Sequence, residues 1–372
     1  MIFKSDHLIL FILAASLIAG CSSHKTLERP EILHEFKAPA FSLSVSQEEM
    51  TVAVSPVRQT LQIGGTMTAL LGAGISALQD GHHARRVHEA LYGFDCTEQL
   101  KEKLTEALEE AFSHSFTEVT AQGSMAGFHS IQEARKARFE GLNKRGYDAV
   151  LDLEGTYGIY GAEGLLVLRL KGELQDLAGG KRLWRNTLTA YSMDLYEGIK
   201  WKDPMDRLTP NIMSPRFSSG RDAIDQWTTD GGAPLRQGFE KALQELIAAL
   251  LCDLGVEESA TGLAVLGTNA LLDGKKSEAH QYFQRAQRLN GEDPDIANGL
   301  ALSLARMGDV EQGIVVAQES LASHPDFQPL YYNLAWWYGV NLKQPDEGRE
   351  YYEKALALGA RPARRLKRAY GN

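Results

Sequence analysis

Apolar and polar positions fall into three regimes along the chain. Residues Leu8 to Ala19 form an almost unbroken apolar run behind Lys4. From Phe41 the pattern alternates. Phe41, Leu43 and Val45 are separated by serines, which predicts a half-buried strand, and Thr51 to Val54 predicts a second. Asp95 with Glu98 three residues on has the form of a capping box. Leu100, Leu104, Leu108 and Phe112 then recur at helical spacing, and a further helix is predicted over Ile131 to Asn143. In Ala149 to Tyr160, Leu151, Leu153, Tyr157 and Ile159 share one strand face, and Asp152, Glu154 and Thr156 share the other. A second long strand is predicted over Gly164 to Gln175 and a third near Leu183 to Tyr191. Gly161-Ala162-Glu163-Gly164 and Ala178-Gly179-Gly180-Lys181 suit the hairpin turns between them. An amphipathic helix over Leu235 to Leu254, with Phe239, Leu243, Leu246, Ile247 and Leu250 apolar, closes the region. The expectation for residues 40–255 is an α+β layer: an antiparallel sheet with helices on one face.

The third regime, residues 258–372, repeats. Gly274 and Gly308 are 34 residues apart. Ala279, Phe283 and Ala286 return 34 positions later as Gly313, Ala317 and Ser320, and 35 later again as Gly348, Tyr352 and Ala355. One residue is therefore inserted near Asn341 to Gln344. Small residues let helices cross closely, aromatics fill the gaps, and three such helix pairs bury a core that one could not. Asn333-Leu334-Ala335-x-x-Tyr338 and Tyr351-Tyr352-Glu353-Lys354-Ala355-Leu356 resemble the tetratricopeptide repeat consensus. The resemblance implies an all-α solenoid of three repeats whose first helices line a concave groove. By register the groove positions include Thr268, Leu272, Asn298, Leu302, Arg306, Tyr332 and Trp336, a surface suited to a protein partner. Trp336 and Trp337 point about 100° apart on a helix, so one is expected in the core and one in or beside the groove.

The apolar run at the N-terminus is too short to span a bilayer, which needs roughly 20 residues, and suits the core of a secretory signal. It ends Leu17-Ile18-Ala19-Gly20-Cys21, which resembles the lipobox of bacterial lipoproteins. That resemblance implies removal of residues 1–20, acylation of Cys21 with palmitate-type chains, and, since Ser22 rather than Asp follows, an outer-membrane anchor facing the periplasm. Residues 21–39 are polar and contain Pro30 and Pro39, and are expected to be a tether. In this setting the element order of residues 40–255 resembles periplasmic α/β domains of the TolB amino-terminal type. Such domains also occur in curli-secretion lipoproteins and in lipoproteins that activate peptidoglycan synthases, and they work by protein contact.

Charge and chemistry narrow the reading. With 39 Lys+Arg against 48 Asp+Glu, the chain lacks the basic balance of a nucleic-acid binder. Its three Cys rule out a disulfide scaffold; beyond Cys21, a Cys96–Cys252 disulfide and two reduced thiols both stay open. No HExxH, CxxC or GxSxG occurs, and His82, His83 and His88 have no second ligand set at metal spacing. The Gly-rich run Gly64 to Leu78 lacks the Lys-Ser/Thr of a phosphate loop, leaving a packed small-residue helix or a self-associating element. Residues Asp194 to Gly232 are expected to be a long irregular loop, with Trp201 and Trp227 as packing plugs or partner contacts. The basic end, Arg361 to Arg368, is expected to cap the last repeat.

Together these features predict no enzyme, cofactor or metal. They predict a lipid-anchored periplasmic scaffold that binds protein partners through Asn298, Leu302, Arg306, Tyr332 and Trp336 and helps assemble an envelope complex. Homo-oligomerisation remains open. The alternatives are an enzyme or activator in peptidoglycan metabolism, or an oligomeric secretion-associated lipoprotein.

Overall fold

The computed structural model describes residues 24–45, 47, 49–54, 80–112, 116–121, 130–161, 163–198 and 219–371. The leader, Cys21, the Gly-rich run 64–78 and Trp201 lie outside the described residues. Among the described residues no helix is long and apolar enough to cross a membrane.

The first part is a mixed α+β domain. Its strands are β1 (Pro39–Val45), β2 (Thr51–Ala53), β3 (Thr117–Glu118), β4 (Ala149–Tyr160), β5 (Leu165–Asp176) and β6 (Lys181–Tyr191). They form one sheet in the order β3-β1-β4-β5-β6, with β2 beside the far end of β4. The β4-β5-β6 meander is antiparallel as the alternating pattern predicts. β1, β2 and β3 pair in parallel, so the expected antiparallel sheet is corrected to a mixed one. Alternation specifies which face a side chain takes but not the direction of the neighbouring strand.

The face carrying Phe41, Leu151, Leu153, Tyr157, Ile159, Leu168 and Trp184 is covered by two helices. One is α3 (Cys96–Ala111), which buries Leu100, Leu104 and Leu108; the other is α6 (Ala233–Asp253), which buries Phe239, Leu243, Leu246 and Leu250. Asp95 caps α3 by accepting from the backbone N–H groups of Thr97 and Glu98. The prediction that helices lie on one face needs correcting as well. Helix α4 (Ile131–Lys144) covers part of the other face, with Phe139 and Leu142 over Ala40, Val150 and Leu177. Its Arg138 grips Asp152 through both guanidinium nitrogens, at 2.6 and 2.8 Å, so the polar stripe of β4 is partly a helix-docking surface.

Residues 24–38 are packed rather than a free tether. Lys25 and Arg185 exchange two backbone hydrogen bonds at the β6 edge. The short helix α1 (Ile32–Glu35) and its flanks bury Leu27, Leu33 and Phe36 in the sheet core. Each buried side chain of this kind contributes about 1.5–3 kcal/mol, enough together to hold a short segment without periodicity. A helix covers residues 80–90 (α2), carrying His82, His83 and His88. The expected 194–232 loop contains another, α5 (Gly220–Trp227), capped by Ser219. Trp227 is a packing residue whose indole N–H donates to the Gly164 carbonyl at 2.8 Å.

A series of helices follows: α7 (Ala260–Leu272), α8 (Lys276–Leu289), α9 (Pro294–Met307), α10 (Val310–Ser323), α11 (Gln328–Trp336), α12 (Pro345–Ala357) and α13 (Arg364–Ala369). The small and aromatic positions of the repeat pattern are inside: Ala279, Phe283, Ala286, Ala317, Tyr352 and Ala355 are all buried. Gly274 and Gly308 end α7 and α9 with φ of +78° and +108°. The equivalent of Gly308, 35 residues on, is Lys343, which adopts φ +59° without being glycine. The inserted residue is absorbed just before it, where Trp337–Leu342 widens into a π-helical turn. The series is not separated from the sheet at residue 255, because α7 contributes Val265 and Leu266 to the sheet-domain core.

Candidate functional site

The groove side of the helix series is filled by the chain's own segment between β6 and residue 198, here termed the strap. Leu195 and Tyr196 are 8 % and 3 % exposed and belong to the hydrophobic core of the helices, not of the sheet. The strap has no regular secondary structure, so its backbone groups require other partners when buried.

Asparagine side chains supply them. A carboxamide both donates and accepts, so it can replace the neighbouring strand that an extended peptide would otherwise need. Just before the strap, on the open edge of β6, Asn269 of α7 accepts from the Thr189 N–H at 2.9 Å and donates to the Thr189 carbonyl at 2.7 Å. Asn298 on α9 and Asn333 on α11 both donate to the Leu195 carbonyl, at 2.9 and 3.0 Å. Asn333 also donates to Asn298 Oδ1 at 2.8 Å and accepts from the Glu197 N–H at 2.6 Å. Asn298 and Asn333 are 1 % and 0 % exposed.

The side chains of the strap are matched one by one. The Tyr196 ring meets Tyr332 edge-on, with centroids 5.2 Å apart, and its hydroxyl donates to Gln328 Oε1 at 2.5 Å. The Glu197 carboxylate lies 3.8 Å from Arg306 Nε and accepts from the Trp337 indole N–H at 3.4 Å. Gly198 has φ +73°, and a Cβ there would stand 2.1 Å from the Trp336 ring. Trp336 also stacks on Tyr332 and lies under the Arg365 guanidinium of the basic C-terminal helix. Burial pushes the Tyr332 hydroxyl up to about 12, so it stays a neutral phenol.

Of the groove residues expected from the repeat register, Asn298, Arg306, Tyr332 and Trp336 touch the strap, and Leu302 is fully buried in the same core. Of the two tryptophans, Trp337 is wholly buried in the helix core and Trp336 lies against the strap in the groove, and the Trp337 indole N–H also reaches Glu197. Sequence reasoning missed Asn333, Asn269, Gln328 and the strap itself. The available signal was the spacing of Asn298 and Asn333, which share a register 35 residues apart.

Beside the strap a cleft of about 1150 Å³ opens between α6, the end of β6 and the start of α9. Asp194, Asp293, Asp295 and Glu245 line it with Lys241. Desolvation, then the charges of Asp194 and Asp293, push the Asp295 carboxyl up to about 6. Burial raises Glu245, against the pull of Lys241. Among the described residues no group of His, Cys, Asp and Glu could hold a metal ion. The open question of a Cys96–Cys252 disulfide resolves to two free thiols. Cys96 is buried in the first turn of α3 and pushed up to about 12, while Cys252 lies against the Ser259 N–H at 3.3 Å.

No family model matches the chain, and no curated protein matches it significantly. Among solved structures, 22 chains match. Two crystal structures of MamA, each 22 % identical, cover 37 % of this chain and 85 % and 78 % of their own, with TM-scores of 0.28. A PelC dodecamer from Paraburkholderia phytofirmans, 13 % identical, covers 63 % of this chain and 95 % of its own, with a TM-score of 0.22. Scores this low fix neither a fold relationship nor a function.

Proposed function

We propose that this chain is a protein-binding scaffold that acts by contact rather than by catalysis. In this reading the helix series is a three-repeat tetratricopeptide solenoid. Cys21, acylated, holds the molecule on the periplasmic face of the outer membrane, where it helps assemble an envelope complex. The observation that carries the binding role is the convergence of Asn298 and Asn333 on one carbonyl, with Asn333 also taking the Glu197 N–H. A groove that satisfies an extended backbone in this way suits peptide segments in general. The 34- and 35-residue spacing of the buried small and aromatic positions supports the repeat reading. The Leu17 to Cys21 sequence supports the anchor.

Two measurements test the proposal. A photo-crosslinking residue at Thr268, which lines the cleft beside the strap, is expected to form adducts with another protein in intact cells; absence of any adduct overturns the binding role. A metabolic fatty-acid label is expected on the wild-type protein and not on Cys21→Ala; an unlabelled wild type overturns the anchor.

A further inference from the structure

Four consecutive strap residues meet four different selection devices. The Leu195 carbonyl is fixed by two carboxamides and its side chain sits in the apolar core of the helices. Tyr196 is chosen twice, by a ring edge and by a hydrogen bond from its hydroxyl. Glu197 is chosen by a cation and an indole N–H. Gly198 is chosen by a positive φ and by the face of Trp336, which leaves no room for a Cβ. Filling a gap between two domains would need only apolar bulk. Reading backbone and side chain at each step is what a peptide site does.

The strap is also an imperfect occupant. Asp194, just before this run, accepts from the Tyr196 hydroxyl at 3.1 Å but shares the cleft with Asp293 and Asp295 at the start of α9, and the three charges oppose one another. A segment lacking that acid would fit the same groove without the repulsion.

Building on the protein-binding reading above, we propose that Leu195–Gly198 is an internal ligand in a peptide site. The partner segment that replaces it is an extended stretch of the same order, apolar, aromatic, acidic, glycine, preceded by an uncharged residue. Binding in trans is then set by how often the internal copy leaves, and weakening the internal copy alone raises apparent affinity.

The test uses the full chain and a fluorescent synthetic peptide, Ser-Leu-Tyr-Glu-Gly, followed by polarisation. Gly198→Ala pushes the strap against Trp336 and leaves every groove side chain in place. Provided circular dichroism shows it folded, it is expected to bind the peptide on the order of tenfold more tightly than the wild type. Adding Arg306→Met, or replacing the peptide's Glu with Gln, is expected to remove that gain. Equal binding by Gly198→Ala and wild type, or equal binding of a scrambled peptide, overturns the proposal. Should Gly198→Ala fail to fold, hydrogen exchange on the wild type decides. Saturating peptide is expected to expose the amides of residues 195–198, and unchanged protection overturns it. Failure here with adducts at Thr268 in cells removes the internal-ligand proposal alone. Peptide binding here without cellular adducts removes the scaffold role alone.

Discussion

Replacing Asn333 with Ala isolates the clamp better than any other single change. The side chain is fully buried and makes three hydrogen bonds: to the Leu195 carbonyl, to Asn298 Oδ1 and from the Glu197 N–H. Each such bond contributes about 1 kcal/mol net, which gives about 3 kcal/mol for the set. The Leu195 carbonyl keeps its bond from Asn298, but the Glu197 N–H and Asn298 Oδ1 lose their only identified partners. A buried group left unpaired costs roughly 1–3 kcal/mol, so part of this adds, and the expected loss is about 3–5 kcal/mol. That is a large share of the 5–15 kcal/mol typical of a folded domain. Asn298→Ala removes two bonds, its own to the Leu195 carbonyl and the one shared with Asn333, and should cost less, about 2–3 kcal/mol. Because the Asn333–Asn298 hydrogen bond is lost in each single variant but only once in the double, the double variant should fall short of the sum of the singles. Urea denaturation followed by far-UV circular dichroism measures all four proteins. A loss under about 1 kcal/mol for Asn333→Ala, or strict additivity, would refute the reasoning.

Three further outcomes follow from other parts of the molecule. Lys343 sits at φ +59° where the two preceding repeats use glycine, and a left-handed L-residue costs roughly 1–2 kcal/mol, so Lys343→Gly should stabilise by about 0.5–1 kcal/mol after the extra unfolded-state entropy of glycine; a lower melting temperature would contradict this. Asp295 holds its proton more tightly folded, at about 6, than unfolded, because of burial and of Asp194 and Asp293, with Lys241 opposing. The stability this proton supplies is therefore complete below the ordinary carboxylate range and lost as pH rises through about 6. Asp295→Asn should flatten the fall in urea midpoint between about pH 4 and 6.5, and an unchanged slope would count against it. Burial raises both thiols, but Cys96 is fully buried and reaches about 12, whereas Cys252 is only partly buried; maleimide should label Cys252 first in the native protein, and mass mapping that finds Cys96 modified first would exclude the arrangement.

The elements with strong periodicity were legible in the sequence. The α3 leucines, the alternating faces of β4 and β5, and the recurring glycines and aromatics of the helix series all follow from spacing alone. What escaped has a physical reason in each case. The parallel pairing of β1 with β4 depends on a connection of about a hundred residues, which no local pattern encodes. Asn333 was visible within the repeat motif, but its role requires knowing that its amide and that of Asn298 reach the same carbonyl. The strap has neither helical nor strand period, because its backbone is satisfied by side chains of distant helices rather than by a ladder. Residues Leu27 to Phe36 escaped likewise, since three apolar contacts in a polar segment have no repeat to betray them.

The central claim is that the helix series grips an extended segment of backbone, and the Glu197 amide reports it most directly. This N–H lies outside any helix or strand and has Asn333 Oδ1 as its acceptor. Hydrogen exchange of the native protein should find it protected well beyond an unstructured peptide and should find it fast in Asn333→Ala. Exchange of the native Glu197 amide at the rate of an unstructured peptide would contradict the account.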